Sequence, residues 1–171
     1  MLTMEHILRR AYPVLPVLVI DDVECAVPLA QALCAGGLNV IEVTLRTPQA
    51  LEALQAIRQA VPELIVGAGT VIHTEQFAQA IDAGAQFAVS PGFTERLATA
   101  AQEAQLPYLP AVMTPSEVLA ALEYGYRSLK LFPANGGASV RMLNSFKGPF
   151  TGINFCPTGG LTRDNLLSYL S

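Results

Sequence analysis

The sequence predicts an α/β fold in which parallel strands alternate with helical crossovers. Three observations carry this. Short β-branched runs recur at roughly 20 to 26 residues along the chain. Each run is followed by a stretch with apolar residues at helical spacing. Proline, glycine or a short polar residue marks most of the transitions. Parallel neighbours need a long crossover, and a helix is the usual one.

The elements follow in order. Residues 14–20 read as the first strand, and residues 23–35 as a helix with Ala26, Leu29, Ala30 and Leu33 on one face. Residues 39–45 form the second strand. Thr47 is a good helix cap with Pro48 at the first helical position, and Leu51, Leu54 and Ile57 continue the apolar face. Residues 64–69 are the third strand, with a helix over 74–83. Residues 86–90 are the fourth, stopped by Pro91-Gly92, with a helix over about 94–104. Residues 108–113 are the fifth strand. Thr114-Pro115-Ser116-Glu117 has the pattern of a capping box and opens a helix to Tyr124. Residues 128–132 are the sixth strand, followed by a helix over 138–146. Residues 152–156 are the seventh, and a helix begins at 163 and runs to 170.

Two architectures satisfy this order: an open doubly wound sheet and a closed (β/α)8 TIM barrel. Several strands end in polar or special residues, namely Arg46, Thr70, Pro91 and Thr158. Barrel enzymes keep their chemistry in such a ring at the strand C-termini, whereas a doubly wound sheet concentrates it at one switch point. No GxGxxG follows the first strand, which counts against dinucleotide binding. A single (β/α) barrel domain over residues 1–171 is therefore predicted. Seven β/α units are legible, so the eighth strand reads as missing and the domain as C-terminally incomplete.

Composition narrows the function classes. Of 171 residues, 51% are hydrophobic and 14% charged, which fits a chain with a substantial buried core. The net charge of −4 is poor for nucleic acid, yet it leaves room for a local site that binds a small anion. No apolar run approaches the roughly 18 to 20 residues that span a bilayer. The longest, residues 12–20, is broken by Pro13 and Pro16. Arg9-Arg10 before it faintly resembles a signal peptide, but the run is short and lacks a cleavage pattern, so it reads as a strand. Cys25, Cys34 and Cys156 have no disulfide or zinc-like spacing, which suits a reducing cytoplasm. His6 and His73 stand far apart, so no metal site is expected. No GxSxG nucleophile motif occurs.

The candidate chemistry centres on one of only two lysines, Lys130 and Lys147. Alternation places Ser128, Lys130 and Phe132 on one face of their strand and Leu129 and Leu131 on the other. In a barrel, that turns Lys130 into the interior. An amine in apolar surroundings loses the hydration that favours its charged form, and a neutral amine attacks a ketone to form an imine. The competing reading is a lysine that snorkels to solvent or pairs with a carboxylate. Alternation likewise puts Val40, Glu42, Thr44 and Arg46 on one face. A carboxylate in mid-strand must be paired or protonated, which makes Glu42 a candidate proton shuttle or a structural ion-pair partner. Arg46 at the strand end is placed to clamp a carboxylate with two parallel hydrogen bonds. Thr158-Gly159-Gly160 after the seventh strand suits an anion held by backbone N–H groups, with a helix dipole behind it, or a plain turn. Gly67-Ala68-Gly69-Thr70 reads either as close strand packing or as a ligand position at Thr70.

In order and spacing, five segments resemble the 2-keto-3-deoxy-6-phosphogluconate (KDPG) aldolase / 4-hydroxy-2-oxoglutarate aldolase family. They are Glu42-Val43-Thr44-Leu45-Arg46-Thr47, Val66-Gly67-Ala68-Gly69-Thr70-Val71, Ser90-Pro91-Gly92, Lys130-Leu131-Phe132-Pro133-Ala134 and Phe155-Cys156-Pro157-Thr158-Gly159-Gly160. The resemblance runs from Pro16-Val17 to the end of the chain. It implies a class I aldolase that uses no metal or cofactor and yields pyruvate and glyceraldehyde 3-phosphate. Lys130 would form the imine, and Glu42 would shuttle protons through a water. Arg46 and Thr70 would hold the pyruvyl carboxylate. Pro91 and Phe132 would shape the pocket, Thr158 would contact the substrate, and Gly159 and Gly160 would bind its phosphate. Family members are usually homotrimers in the cytoplasm. Aldolases for 4-hydroxy-2-oxoglutarate or the galactonate analogue are the neighbouring readings. A catalytically silent barrel that binds a phosphorylated ligand is the reading from another class. The family pattern continues into an eighth strand with Gly-Gly-Ser. Ala111 stands where glycine is common, and Asn135 where an acidic residue is frequent.

Overall fold

A computed structural model describes residues 2–170. It divides into two compact units. The first runs up to Ser90 and includes Thr94–Tyr108; the second comprises Pro91–Phe93 and the chain from Leu109 onward. Alternating helices and parallel strands, the pattern of a (β/α)8 barrel, are present in both.

The first unit opens with a helix that the periodicity reading did not predict, α1 (Met4–Ala11). Thr3 caps it by accepting the His6 N–H at 3.2 Å, and Ile7 and Ala11, one turn apart, are its buried pair. That pair was the available signal, diluted by Arg9-Arg10 beside it. Then come β1 (Val17–Leu18), a 3-10 turn (Val23–Cys25) and α2 (Ala26–Ala35). β2 (Val40–Thr44), α3 (Ala50–Ala60) and β3 (Ile65–Gly69) follow. α4 (Glu75–Asp82), β4 (Phe87–Val89) and α5 (Glu95–Glu103) complete the alternation up to β5 (Tyr108–Leu109). The sheet order is β1-β2-β3-β4-β5, and β1 to β4 pair in parallel. Every residue of β2, β3 and β4 is buried, as strands covered on both faces require.

Three local expectations change. The predicted first strand shrinks to two residues, with Val17 and Val19 exposed. Thr47 does not cap α3, which starts from Gln49. Its hydroxyl instead donates to the Ile20 carbonyl at 2.6 Å, so a partner 27 positions away outcompetes the local cap. Finally, Pro110 divides the predicted fifth strand. It has no N–H to give a ladder, and β5 ends before it.

The second unit holds β6 (Ala111–Val112), α6 (Pro115–Glu123), β7 (Ser128–Leu131), α7 (Gly136–Phe146), β8 (Asn154–Pro157) and α8 (Leu166–Leu170). Its strands are parallel in the order β6-β7-β8. The capping box forms as predicted: Thr114 accepts the Glu117 N–H, and the Glu117 carboxylate accepts the Thr114 N–H at 2.8 Å. The core gathers Val112, Val118, Ala121, Leu129, Leu131 and Phe146. The last helix is shorter than predicted and begins at Leu166. No helix among the described residues is long and apolar enough to cross a membrane.

Candidate active site

The first unit supplies Glu42, Arg46 and Thr70. Glu42 lies in the middle of β2 with only 2% of its surface exposed. Alternation places it on the face of Val40 and Thr44, and register sets Glu42 beside Gly67 and Thr44 beside Gly69 on β3. A Cβ at Gly69 would overlap the Glu42 carboxylate, and one at Gly67 would overlap the Phe87 ring. The Gly-Ala-Gly run is thus close strand packing with a purpose. The two glycines leave the volume that a buried carboxylate and an aromatic ring occupy. Thr44 fixes the neighbouring strand, donating to the Leu18 carbonyl at 2.9 Å.

Arg46 is exposed just beyond β2, and its Nε donates to the Thr70 hydroxyl at 3.0 Å. Thr70 follows β3 with φ 59, a left-handed conformation that a β-branched residue rarely adopts. Such strain costs on the order of 1–3 kcal/mol and gathers at functional positions. The bond holds the guanidinium by one edge. Its terminal nitrogens, which form no hydrogen bond among the described residues, remain for an anion. The hydroxyls of Ser90 and Tyr108 share a buried hydrogen bond that ties the end of β4 to β5.

The second unit supplies Lys130, Phe132, Pro91, Thr158, Gly159 and Gly160. Lys130 is 5% exposed, between the fully buried Leu129 and Leu131. Its N–H donates to the Pro110 carbonyl at 2.9 Å, and its neighbours across the sheet are Ala111 and Cys156. The ammonium lies 5.4 Å from the centre of the Phe132 ring, within range of a cation–π attraction. The predicted same-face placement of Lys130 and Phe132 is what this distance expresses. Lys147, by contrast, is exposed at the end of α7. Pro91 is half-buried.

The loop after β8 packs on the loop after β7. Thr158 donates its N–H to Leu131 at 2.9 Å and accepts the Ala134 N–H at 2.8 Å. Gly159 and Gly160 have φ of 83 and 78, open to glycine at little cost. A Cβ at Gly159 would stand 3.0 Å from the Phe132 ring, and one at Gly160 would stand 2.7 Å from the Ala134 carbonyl oxygen. No hydrogen bond among the described residues uses the N–H groups of Gly159, Gly160 or Leu161. Three such groups in succession suit an anion. The expected helix dipole is not behind them, because α8 begins only at Leu166. Asn165, not singled out by the sequence reading, holds this loop instead. No group of three or more His, Cys, Asp and Glu residues that could hold a metal gathers among the described residues.

The sequence matches the family described as KDPG and KHG aldolase over residues 4–171. It is 49% identical to the KHG/KDPG aldolase of Escherichia coli (strain K12) over 159 residues, which is 93% of this chain and 75% of that protein. It is 50% identical to the 2-dehydro-3-deoxy-phosphogluconate aldolase of Dickeya dadantii over 161 residues, 94% of this chain and 76% of that one. Among solved structures, it is similar to KDPG aldolase from Legionella pneumophila with pyruvate captured at low pH as a covalent carbinolamine intermediate. The TM-score is 0.90 at 46% identity, over 94% of this chain and 78% of that chain.

Proposed function

Because the chain belongs to the KDPG and KHG aldolase family, we propose that it cleaves 2-keto-3-deoxy-6-phosphogluconate to pyruvate and glyceraldehyde 3-phosphate. The activity is that of a class I, Schiff-base aldolase, a carbon–carbon lyase. The observation that carries the assignment of the nucleophile is the burial of Lys130 in β7, with 5% of its surface exposed. The Legionella relative, with pyruvate captured as a carbinolamine, supports the same chemistry.

The Lys130 amine adds to the C2 ketone of the substrate to give a carbinolamine. Loss of water leaves a protonated imine, which draws electrons from the adjoining carbons. The C4 hydroxyl gives up its proton as the C3–C4 bond breaks. The aldehyde leaves, and the bonding electrons rest in an enamine. Protonation of the enamine carbon and hydrolysis return pyruvate and the free lysine. Each step moves a proton, and Glu42 is the carboxylate assigned to move them. Arg46 and Thr70 hold the pyruvyl carboxylate, with the 3.0 Å Nε bond aiming the guanidinium. Pro91 and Phe132 shape the pocket, and Thr158 contacts the substrate chain. Gly159 and Gly160 receive the phosphate on backbone N–H groups, supported by their φ of 83 and 78. The protein would act as a cytoplasmic homotrimer, which sedimentation equilibrium would check.

The test is borohydride reduction in the presence of pyruvate, followed by peptide mass spectrometry. A stable adduct on Lys130, absent from Lys130→Ala, is the expected result. An adduct on Lys147, with turnover intact in Lys130→Ala, would overturn the assignment. A requirement for phosphate on the substrate separates KDPG from 4-hydroxy-2-oxoglutarate.

A further inference from the structure

We infer that Asn165 is a positioning residue that sets the substrate's phosphate preference by clasping the Thr158–Gly160 loop from behind. The inference rests on the phosphate reading above. The Asn165 amide nitrogen donates to the Gly160 carbonyl at 2.9 Å, and its amide oxygen accepts the Thr162 N–H at 2.8 Å. One side chain thereby ties both ends of the segment from Gly160 to Thr162. A peptide group is planar and trans, so its C=O and N–H point in opposite directions. Holding the Gly160 carbonyl on one side aims the Leu161 N–H to the other.

The loop needs such a clasp. Gly159 and Gly160, with φ of 83 and 78, are the residues with the most conformational freedom to lose. On the near side, the loop is pinned by Thr158 to Leu131 and by Ala134 to Thr158, at 2.9 and 2.8 Å. Past Gly160, the described hydrogen bonds that restrain it are those of Asn165 and the Leu166 N–H to the Thr162 carbonyl. Tyr169 in α8 adds a second tie nearby, donating to the carbonyl of Gly136, the first residue of α7, at 2.9 Å. Donors held in place before an anion arrives bind it without a further ordering cost.

Steady-state kinetics of the wild type, Asn165→Ala and Asn165→Asp test this, with a phosphorylated 2-keto acid, its unphosphorylated counterpart and inorganic phosphate as competitive inhibitor. Asn165→Asp keeps the shape and the acceptor for Thr162 but loses the donor to Gly160, so it reports even if the alanine variant folds poorly. In both variants, KM for the phosphorylated substrate and the phosphate inhibition constant should rise about tenfold, as loss of one or two hydrogen bonds implies. The unphosphorylated substrate should be affected far less, and the loss should fall on KM rather than kcat. If the wild type prefers the phosphorylated substrate and the variants keep that preference, this inference fails alone. If the wild type shows no preference and no inhibition by phosphate, the phosphate reading fails with it.

Discussion

In the first unit every residue of β2 and β3 is buried, whereas β8 in the second has no buried residue. The candidate residues are secured accordingly. Glu42 sits in a space that Gly69 vacates, so close packing determines where its carboxylate lies. Gly159 and Gly160 belong to a half-exposed loop and are set by a few hydrogen bonds, one from the Asn165 side chain and the others joining Thr158 to the backbone of Leu131 and Ala134. Packing is stiff, because filled volume cannot yield without moving backbone. A hydrogen-bonded loop yields at a cost of one or two bonds. Lys130 is the exception in the second unit, buried in its own strand like Glu42 in the first.

The sharpest test of this contrast replaces the chemistry while leaving the packing. Glu42→Gln keeps volume and burial, so the fold should survive while turnover falls by about 10²–10⁴-fold. Kinetics beside a melting curve would show it. Unchanged turnover would remove Glu42 from proton transfer. Next comes Gly69→Ala, whose methyl would overlap the Glu42 side chain. A loss of about 2 kcal/mol in a urea titration is expected from overpacking, with a fall in activity beside it.

Two smaller effects are expected in the second unit. Burial pushes the Glu117 carboxyl upward, but hydrogen bonds from the Met113 and Thr114 N–H groups and the Thr114 hydroxyl outweigh it and leave the group below its ordinary value. A lowered folded pKa stabilises the protein above the unfolded value and loses that contribution as pH falls through the folded one. Glu117→Gln should therefore cost about 0.5 kcal/mol near neutrality, small because the group is mostly solvent-screened. The gap from the wild type should close in melts taken below the usual carboxylate range. The smallest effect belongs to Gly148→Ala. A Cβ there meets nothing within 4 Å, so stability should stay within about 0.5 kcal/mol. A large loss at Gly148 would break the contrast with Gly69.

Much of the candidate site's local arrangement is legible in the sequence. Alternation alone placed Glu42 with Thr44, and Lys130 with Phe132, because a strand's side-chain period is local. The segment order and the Thr114 capping box were legible for the same reason, as residues a few positions apart meet whatever the rest of the chain does. Family resemblance supplied the roles that periodicity could not.

The sequence by itself determined the alternation of strands and helices, the strand faces that carry Glu42 and Lys130, and the family resemblance. Tertiary structure decided why Gly67 and Gly69 are glycines, and that Thr47 bonds Ile20 rather than capping α3. It likewise set Thr70 left-handed with its hydroxyl bonded to Arg46, and tied the Asn165 amide to the Gly160 carbonyl. The physical reason is range. Periodicity and capping are written within one or two turns of chain, whereas Gly69 meets Glu42, and Thr70 meets Arg46, only after parallel strands have found their register.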